Sequence, residues 1–531
     1  MDVYDILIKG ARIYDGTGGA PFCTDVAIRD GRIAAIGSAA AADSVRAIDA
    51  TGLSVMPGAI DAHSHSDLTL PVHNKAVSSI RQGITTEVAG SCGWGLAPCT
   101  TETIESIMKW FTWAMPAEDI EQLTWEWRSF GEYLSFLEKK GIGTNLIPIV
   151  GQSIIRAHVV GTENRQASRG EIRAQQELVR EAMEQGARGM SSGRSYEPGC
   201  FAPTTEIIEL ARVVAEYGGV YTTHLRNEGE EVFAALEEAI DVGRRAGVPV
   251  EVSHHKTIGR ANFGKVKTTL RMMEEAREEG VRISCDVYPF DYSQISLLYR
   301  TLPRKFQRMS PDEIYAGLGD RSFRDSIREE FTRNSRRSML AAPSDYVVVN
   351  CPARRDVEWK TYDEIAGTRD VLDTILDLLV EAKMLVRVAS RMNEEDVQTV
   401  IRHPMTAIGT DAWALDRDMG ERFAVHPRHF ASFPRVLGHY VRDVGLTSLE
   451  QMVKKVTLMP ARKFGLSDRG AVKEGYWADL LVFDPKTIVD AATPEDPYAN
   501  APGIDYVIVN GKIALEKGTY YPVLAGKVLR R

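Results

Sequence analysis

The sequence predicts an α/β chain: a (β/α)8 TIM-like barrel, a small β-sandwich domain built from both termini, and an insertion after strand 7. Three observations carry this. Short apolar runs alternate with amphipathic stretches through the centre of the chain. Hairpin signals stand at both ends. The alternation lapses once, late in the chain.

The central runs are "SVMPGAIDAH", "GITTEVAG", "TNLIPIVG", "ARGMSSG", "GVYTTHL", "VPVEVSHH", "VRISCDVYP" and "TAIGTD". Between most of them lie segments such as "TEIIELARVVAEYGG" and "EEVFAALEEAIDVGRRAG", with apolar residues at helical spacing and a glycine where a C-cap is needed. Strands separated by helices are the signature of parallel βαβ units. At the ends, "VAIRDGRIAAIG" and "IDYVIVNGKIALEKG" each place a two-residue turn, Asp30-Gly31 or Asn510-Gly511, between alternating runs. Neither end can bury a sheet face alone, so residues 1–58 plus 468–531 are expected to form one small sandwich around a barrel at 59–467. Residues 297–385, with "PRKFQRMSPDEIYAGLGDRSFRDSIREEFTRNSRRS" and "DYVVVNC", read as an inserted subdomain or lid.

Bulk properties exclude several classes. At 531 residues the chain needs more than one small core. A formal net charge of −9 argues against a nucleic-acid surface. "MDVYDILIKG" has acids where a signal peptide carries basic residues, and no run approaches the roughly 18 apolar residues of a membrane span. Six cysteines without a CxxC pair do not make a disulfide framework. A cytoplasmic enzyme acting on a small molecule is the expected class, with no nucleic-acid or membrane partner and no oligomeric state specified.

In a barrel of this kind catalytic groups lie at the C-terminal ends of the strands. Read in order, those ends carry His63 and His65, Cys92, Tyr196, His224, His254, Tyr288 and Asp411. His63 and His65 are two apart on an extended segment and share a face. Imidazole and thiolate are good zinc ligands, and a neighbouring carboxylate serves as ligand or base. Taken singly, Cys92 reads as a buried inert thiol, His254-His255 as a strand end and Asp411 as a helix N-cap. Their joint occurrence in this order favours a metal site.

The order His-x-His, Cys, His, His, Asp resembles the amidohydrolase superfamily, and within it the N-acyl-D-amino-acid deacylase (D-aminoacylase) family. The motifs that carry the resemblance span the chain: "PGAIDAHSHSDL", "EVAGSCGWGLAP", "MSSGRSYEPG", "GGVYTTHLRNEG", "VPVEVSHHK", "CDVYPF", "IGTDA", "HPRHFASFPRVLG" and "GYWADLLVFDP". It implies zinc-dependent hydrolysis of the amide of an N-acyl-D-amino acid to a carboxylate and a free D-amino acid. The resemblance assigns one tightly bound Zn2+ to Cys92, His224 and His254, and a second, weaker or vacant position to His63 and His65. Asp411 becomes the proton shuttle and Tyr196 the group that polarises the scissile carbonyl, while Lys256, Tyr288 and Arg428 hold the substrate's α-carboxylate. The chemistry is coherent: zinc lowers the pKa of water from about 16 to near 7, one carboxylate acts as base and then acid, and arginine clamps a carboxylate in bidentate fashion.

Three features depart from the family pattern. The spacer "AWALDRDMGERFAVHP" before Arg428 is long, which leaves a salt bridge elsewhere as the other reading of that arginine. "WFTWAMPAEDIEQLTWEWRSF" holds Trp110, Trp113, Trp125 and Trp127, expected to pack in a core or subunit interface. "VGQSIIR" carries Gln152 where a histidine is expected. Two rival readings follow. An amidohydrolase acting on a hydantoin, another cyclic amide or a different N-acyl compound would be expected to use a fourth-strand lysine, which "ARGMSSGRSY" lacks. A non-catalytic barrel scaffold would be expected to have lost ligands.

Overall fold

Eight parallel strands follow one another in barrel order in the computed structural model, which describes residues 3–37, 43–105, 115–307, 309, 311–333, 342–417 and 425–531. They are Ala59–Ser64, Ile84–Ala89, Asn145–Pro148 with its continuation Val150–Gly151, Gly189–Gly193, Val220–His224, Val250–Val252, Ile283–Val287 and Thr406–Ile408. Hydrogen bonding divides them into a three-stranded and a six-stranded sheet. At one seam, inside the third strand, the Ile149 amide donates to the Ala89 carbonyl at 3.0 Å. At the other, between the eighth and first strands, Asp411 N donates to His63 O at 2.9 Å and His65 N to Ala412 O at 2.7 Å. The bonds of this second seam therefore involve His63, His65 and Asp411, residues expected to do chemistry.

The helices form where periodicity and caps agree. Arg169–Glu184 starts at a capping box, Ser168 and Glu171, and buries Gln175, Val179, Ala182 and Met183 along one face. Val232–Ala246 buries Leu236, Ala239, Ile240 and Gly243 and ends at Gly247, in the left-handed conformation at φ 69°.

The two ends of the chain meet. Ser54–Pro57 pairs antiparallel with Leu480–Phe483, so N-terminal and C-terminal strands share one nine-stranded sheet. Both expected hairpins are present, with positive φ at Asp30, Gly31, Asn510 and Gly511, the signature of type I′ turns. The turns pack on each other so closely that a Cβ on Gly511 would lie 2.5 Å from the Gly31 Cα. A buried network ties this sheet to the third barrel strand. Arg469 bonds to Asp479 and Asn510, and Asn145 bonds to Asp479 at 3.2 Å and to Asn510 at 2.8 Å.

The insertion after the seventh strand has its own apolar cluster, including Leu298, Phe306, Ile327, Val348, Tyr362, Ile375, Leu379 and Val388. Its three-stranded antiparallel sheet joins Tyr292–Ser296, Arg387–Arg391 and Tyr346–Asn350. That sheet reaches beyond both ends of 297–385. Tyr292 stacks on His426 with centroids 4.2 Å apart, which sets the insertion against the loop leading to Arg428.

Candidate metal centre

Each candidate metal ligand, and Asp411, is presented by the end of a strand or by the turn just past it, whereas Arg428 opens the helix Arg428–Arg435. His63 lies within the first strand and His224 ends the fifth. Cys92, His254 and Asp411 sit in turns after the second, sixth and eighth strands, each at positive φ: 55°, 34° and 51°. Such conformations cost a non-glycine residue about 1–3 kcal/mol and persist where the surroundings over-determine them. For Cys92 the surroundings include Gly90, where a Cβ would lie 1.9 Å from the Ile149 carbonyl oxygen.

The side chains converge on Cys92. Its Sγ lies 3.5 Å from His63 Nε2, 3.3 Å from His254 Nε2 and 3.8 Å from His224 Nδ1. His224 Nδ1 and His254 Nε2 are themselves 2.8 Å apart. His63, Cys92, His254 and Asp411 offer ligand atoms within 4.8 Å of one another, and so do His224, Glu228 and His254. Burial raises the Cys92 thiol, but the charges of His254 and His63 and hydrogen bonds from His224 and His254 outweigh it and hold the thiol well below its ordinary range. A buried sulfur facing three imidazole nitrogens at 3.3–3.8 Å is a donor set that suits a soft or borderline cation. The residues fit a zinc ion: sulfur and nitrogen ligands, buried, with carboxylates behind the outer nitrogens of His63, His224 and His254.

Carboxylates surround the cluster. Asp411 Oδ1 lies 3.2 Å from His65 Nε2 and 3.5 Å from His63 Nε2, while Oδ2 accepts from Arg428 Nη1 at 2.6 Å. Burial alone would push Asp411 up; the Arg428 and His254 charges, with the His65 hydrogen bond, hold it well below the usual carboxylate range. Arg428 is buried beside the centre, so the long spacer before it has not displaced it into a surface salt bridge. Arg428 and Lys256 both approach the Tyr288 ring, Cζ at 5.0 Å and Nζ at 5.5 Å from its centroid. Burial pushes the Tyr288 phenol up to about 12. Tyr196 places its hydroxyl 3.3 Å from His224 Nδ1. All ten residues singled out in the sequence are thus brought to one place.

Sequence reasoning passed over two others. Glu228 lies 2.7 Å from Lys256 Nζ, 3.2 Å from His254 Nδ1 and 3.8 Å from His224 Nε2. Its signal was the spacing His224-x-x-x-Glu228 inside "HLRNEG". Asp286 accepts from the His254 backbone amide at 2.8 Å and lies 3.3 Å from His63 Nδ1. It stands within "CDVYP", two residues before Tyr288.

Of the departures, Trp110 and Trp113 lie outside the described residues. Trp127 is a buried core residue whose indole donates to Leu96 O at 2.9 Å. Gln152 opens the helix Gln152–Val159 and is fully buried, with neither carboxamide atom hydrogen-bonded among the described residues. The fourth strand, Gly189–Gly193, contains no lysine.

The description of the Amidohydrolase family matches residues 46–290 and 361–515. The chain is similar to a D-aminoacylase of Alcaligenes xylosoxydans xylosoxydans, 35% identical over 534 residues that cover 99% of this chain and 98% of that one. An N-acyl-D-glutamate deacylase of the same organism is 33% identical, covering 99% of this chain and 96% of the relative. Among solved structures, the N-acyl-D-glutamate deacylase from Bordetella bronchiseptica was crystallised with zinc and a phosphonate mimic of the tetrahedral intermediate. It superimposes with a TM-score of 0.80 at 30% identity, covering 100% of both chains.

Proposed function

Because this chain belongs to the amidohydrolase family, we propose that it hydrolyses the amide bond of N-acyl-D-amino acids to a carboxylate and a free D-amino acid, using zinc. The observation that carries the reading is the meeting of a Cys92–His224–His254 donor set with Asp411 and with two cations sharing the Tyr288 ring. Relatives named for N-acyl-D-amino-acid substrates, one crystallised with zinc, support it.

Cys92, His224 and His254 would hold one tightly bound zinc, and His63 with His65 a second, weaker position. Zinc bound there would supply Lewis acidity and a nucleophilic water at neutral pH. The remaining steps belong to the chain. Asp411, ionised and adjacent to the donor set, takes the proton of the attacking water and returns it to the leaving amine. Tyr196 donates its phenol proton in a hydrogen bond to the carbonyl oxygen as charge develops there. Arg428, Lys256 and Tyr288 receive the substrate α-carboxylate. In the free protein each cation is neutralised, Arg428 by Asp411 and Lys256 by Glu228, so neither is buried uncompensated before substrate arrives. The lysine-free fourth strand and the central Cys92 favour this linear amide over a cyclic one.

The architecture proposed with this function is a barrel at 59–467, a small sandwich-like domain at 1–58 plus 468–531, and a lid around 297–385 over the barrel mouth. No described helix is long and apolar enough to cross a membrane; a cytoplasmic location is part of the proposal. The test pairs metal analysis of the purified protein with amine release from N-acetyl-D- and N-acetyl-L-amino acids. About one tightly held zinc and turnover of D-substrates alone are expected. Zinc present with every acyl amino acid inert would overturn the substrate.

A further inference from the structure

Two of the three histidines around Cys92, His224 and His254, present opposite nitrogens to it. His224 turns Nδ1 toward Cys92 and His254 turns Nε2. Their other nitrogens, His224 Nε2 and His254 Nδ1, face the same group: Glu228, at 3.8 Å through Oε2 and 3.2 Å through Oε1. We infer that Glu228 is a positioning residue that selects the tautomer of His254, accepting the Nδ1–H on the far side of that ring so that its Nε2 lone pair points at Cys92; behind His224 it stands at 3.8 Å, as a charge rather than a hydrogen-bond acceptor. The inference rests on the proposed zinc-dependent reading of the site.

A neutral imidazole carries one N–H and one lone pair, so the nitrogen that meets a metal is decided by what the other nitrogen meets. For His254 this decision is contested. Its Nδ1 lies 3.2 Å from the Glu228 carboxylate but 2.8 Å from Lys256 Nζ. An ammonium can only donate. If Lys256 donated to Nδ1, the ring proton would move to Nε2 and the lone pair facing Cys92 would be lost. Glu228 prevents this by holding Lys256 Nζ on Oε1 at 2.7 Å while accepting from the ring on the same oxygen. The Glu228 side chain is only 10% exposed, and Lys256, His224 and His254 surround it. One carboxylate thereby serves the zinc ligands and the lysine assigned to the substrate carboxylate. Substrate drawing Lys256 away from Glu228 would leave the His254 ring as the nearest partner of Glu228 among the described residues.

The experiment is a double-mutant cycle on the full-length protein, read by zinc affinity in chelator competition and by KM, with apo-protein circular dichroism to confirm folding. Glu228→Gln keeps the shape but removes the charge that holds Lys256 while the same oxygen accepts from the His254 ring. Its zinc affinity is expected to fall about 10–100-fold, as for loss of an outer partner. Adding Lys256→Met to Glu228→Gln removes the competing donor, so most of that affinity should return while KM stays raised. Lys256→Met alone should bind zinc at least as tightly as the wild type. Zinc affinity of Glu228→Gln within twofold of wild type would overturn the inference, and so would a double variant as weak as Glu228→Gln. If Glu228→Gln does not fold, a tenfold loss of zinc affinity in Lys256→Met alone overturns it. A wild type that holds no zinc at all would instead sink the functional reading beneath.

Discussion

The two flanks of the metal centre are built differently. On one, His224 and His254 each back onto Glu228, and their front nitrogens are 2.8 Å apart beside Cys92 Sγ. On the other, His63 backs onto Asp286, but His65 has no partner for Nδ1 among the described residues and turns Nε2 to Asp411. The first flank pairs the Cys92 sulfur with two rings backed by one carboxylate, at 3.2 Å behind His254 and 3.8 Å behind His224. The second has one braced ring, one unbraced ring and a carboxylate already engaged by Arg428. Bracing fixes ring orientation and tautomer before the metal arrives, so the first flank pays less ordering entropy on binding. The comparison teaches that a symmetrical-looking set of histidines in sequence can be an asymmetric pair of positions in space.

The largest way to break the comparison is to remove one ring from each flank. His224→Ala should lose tight zinc and with it turnover, measured by metal content after dialysis. His65→Ala should keep the tight zinc; equal loss in both variants would make the flanks equivalent. Asp411→Asn should lower kcat about 10²–10⁴-fold, the usual contribution of a positioned general base, with zinc content unchanged. Loss of zinc in that variant would move Asp411 from shuttle to ligand. Arg428→Met removes a charged hydrogen bond to substrate worth about 1.5–3 kcal/mol, so kcat/KM should fall roughly 10–100-fold. Steady-state kinetics on one D-substrate decides this, and a change in kcat/KM under twofold would remove Arg428 from the carboxylate site. The smallest effect belongs far from the centre. Gly511→Ala should cost about 1–2 kcal/mol for a left-handed residue, plus its close approach to Gly31. The expected result is a lower Tm with kcat unchanged, measured by thermal unfolding.

Much of this was legible in the chain. Strand-end histidines, Cys92 and Asp411 stand directly after apolar runs, so their place followed from topology alone. The hairpins at Asp30-Gly31 and Asn510-Gly511 followed from turn chemistry. Glu228 was less visible because its three contacts come from residues 224, 254 and 256, and only the closed fold puts them around one carboxylate. Asp286 was hidden for the same reason, since its partners lie on the first and sixth strand ends. The insertion's sheet was not visible in the sequence because Tyr292–Ser296 and Arg387–Arg391 pair across nearly a hundred residues, and each alone resembles a loop flank.

By itself, then, the sequence determined the element order, the hairpins, the strand-end positions and the types of chemical group, because these rest on local propensity, period and turn geometry. Tertiary structure alone decided which nitrogen of each histidine faces Cys92, which carboxylate braces which ring, and that Arg428 and Lys256 share Tyr288. Those are relations between side chains from different strands. Their distances depend on how the barrel closes and on backbone held at positive φ in Cys92, His254 and Asp411, where local preference opposes the conformation that packing imposes.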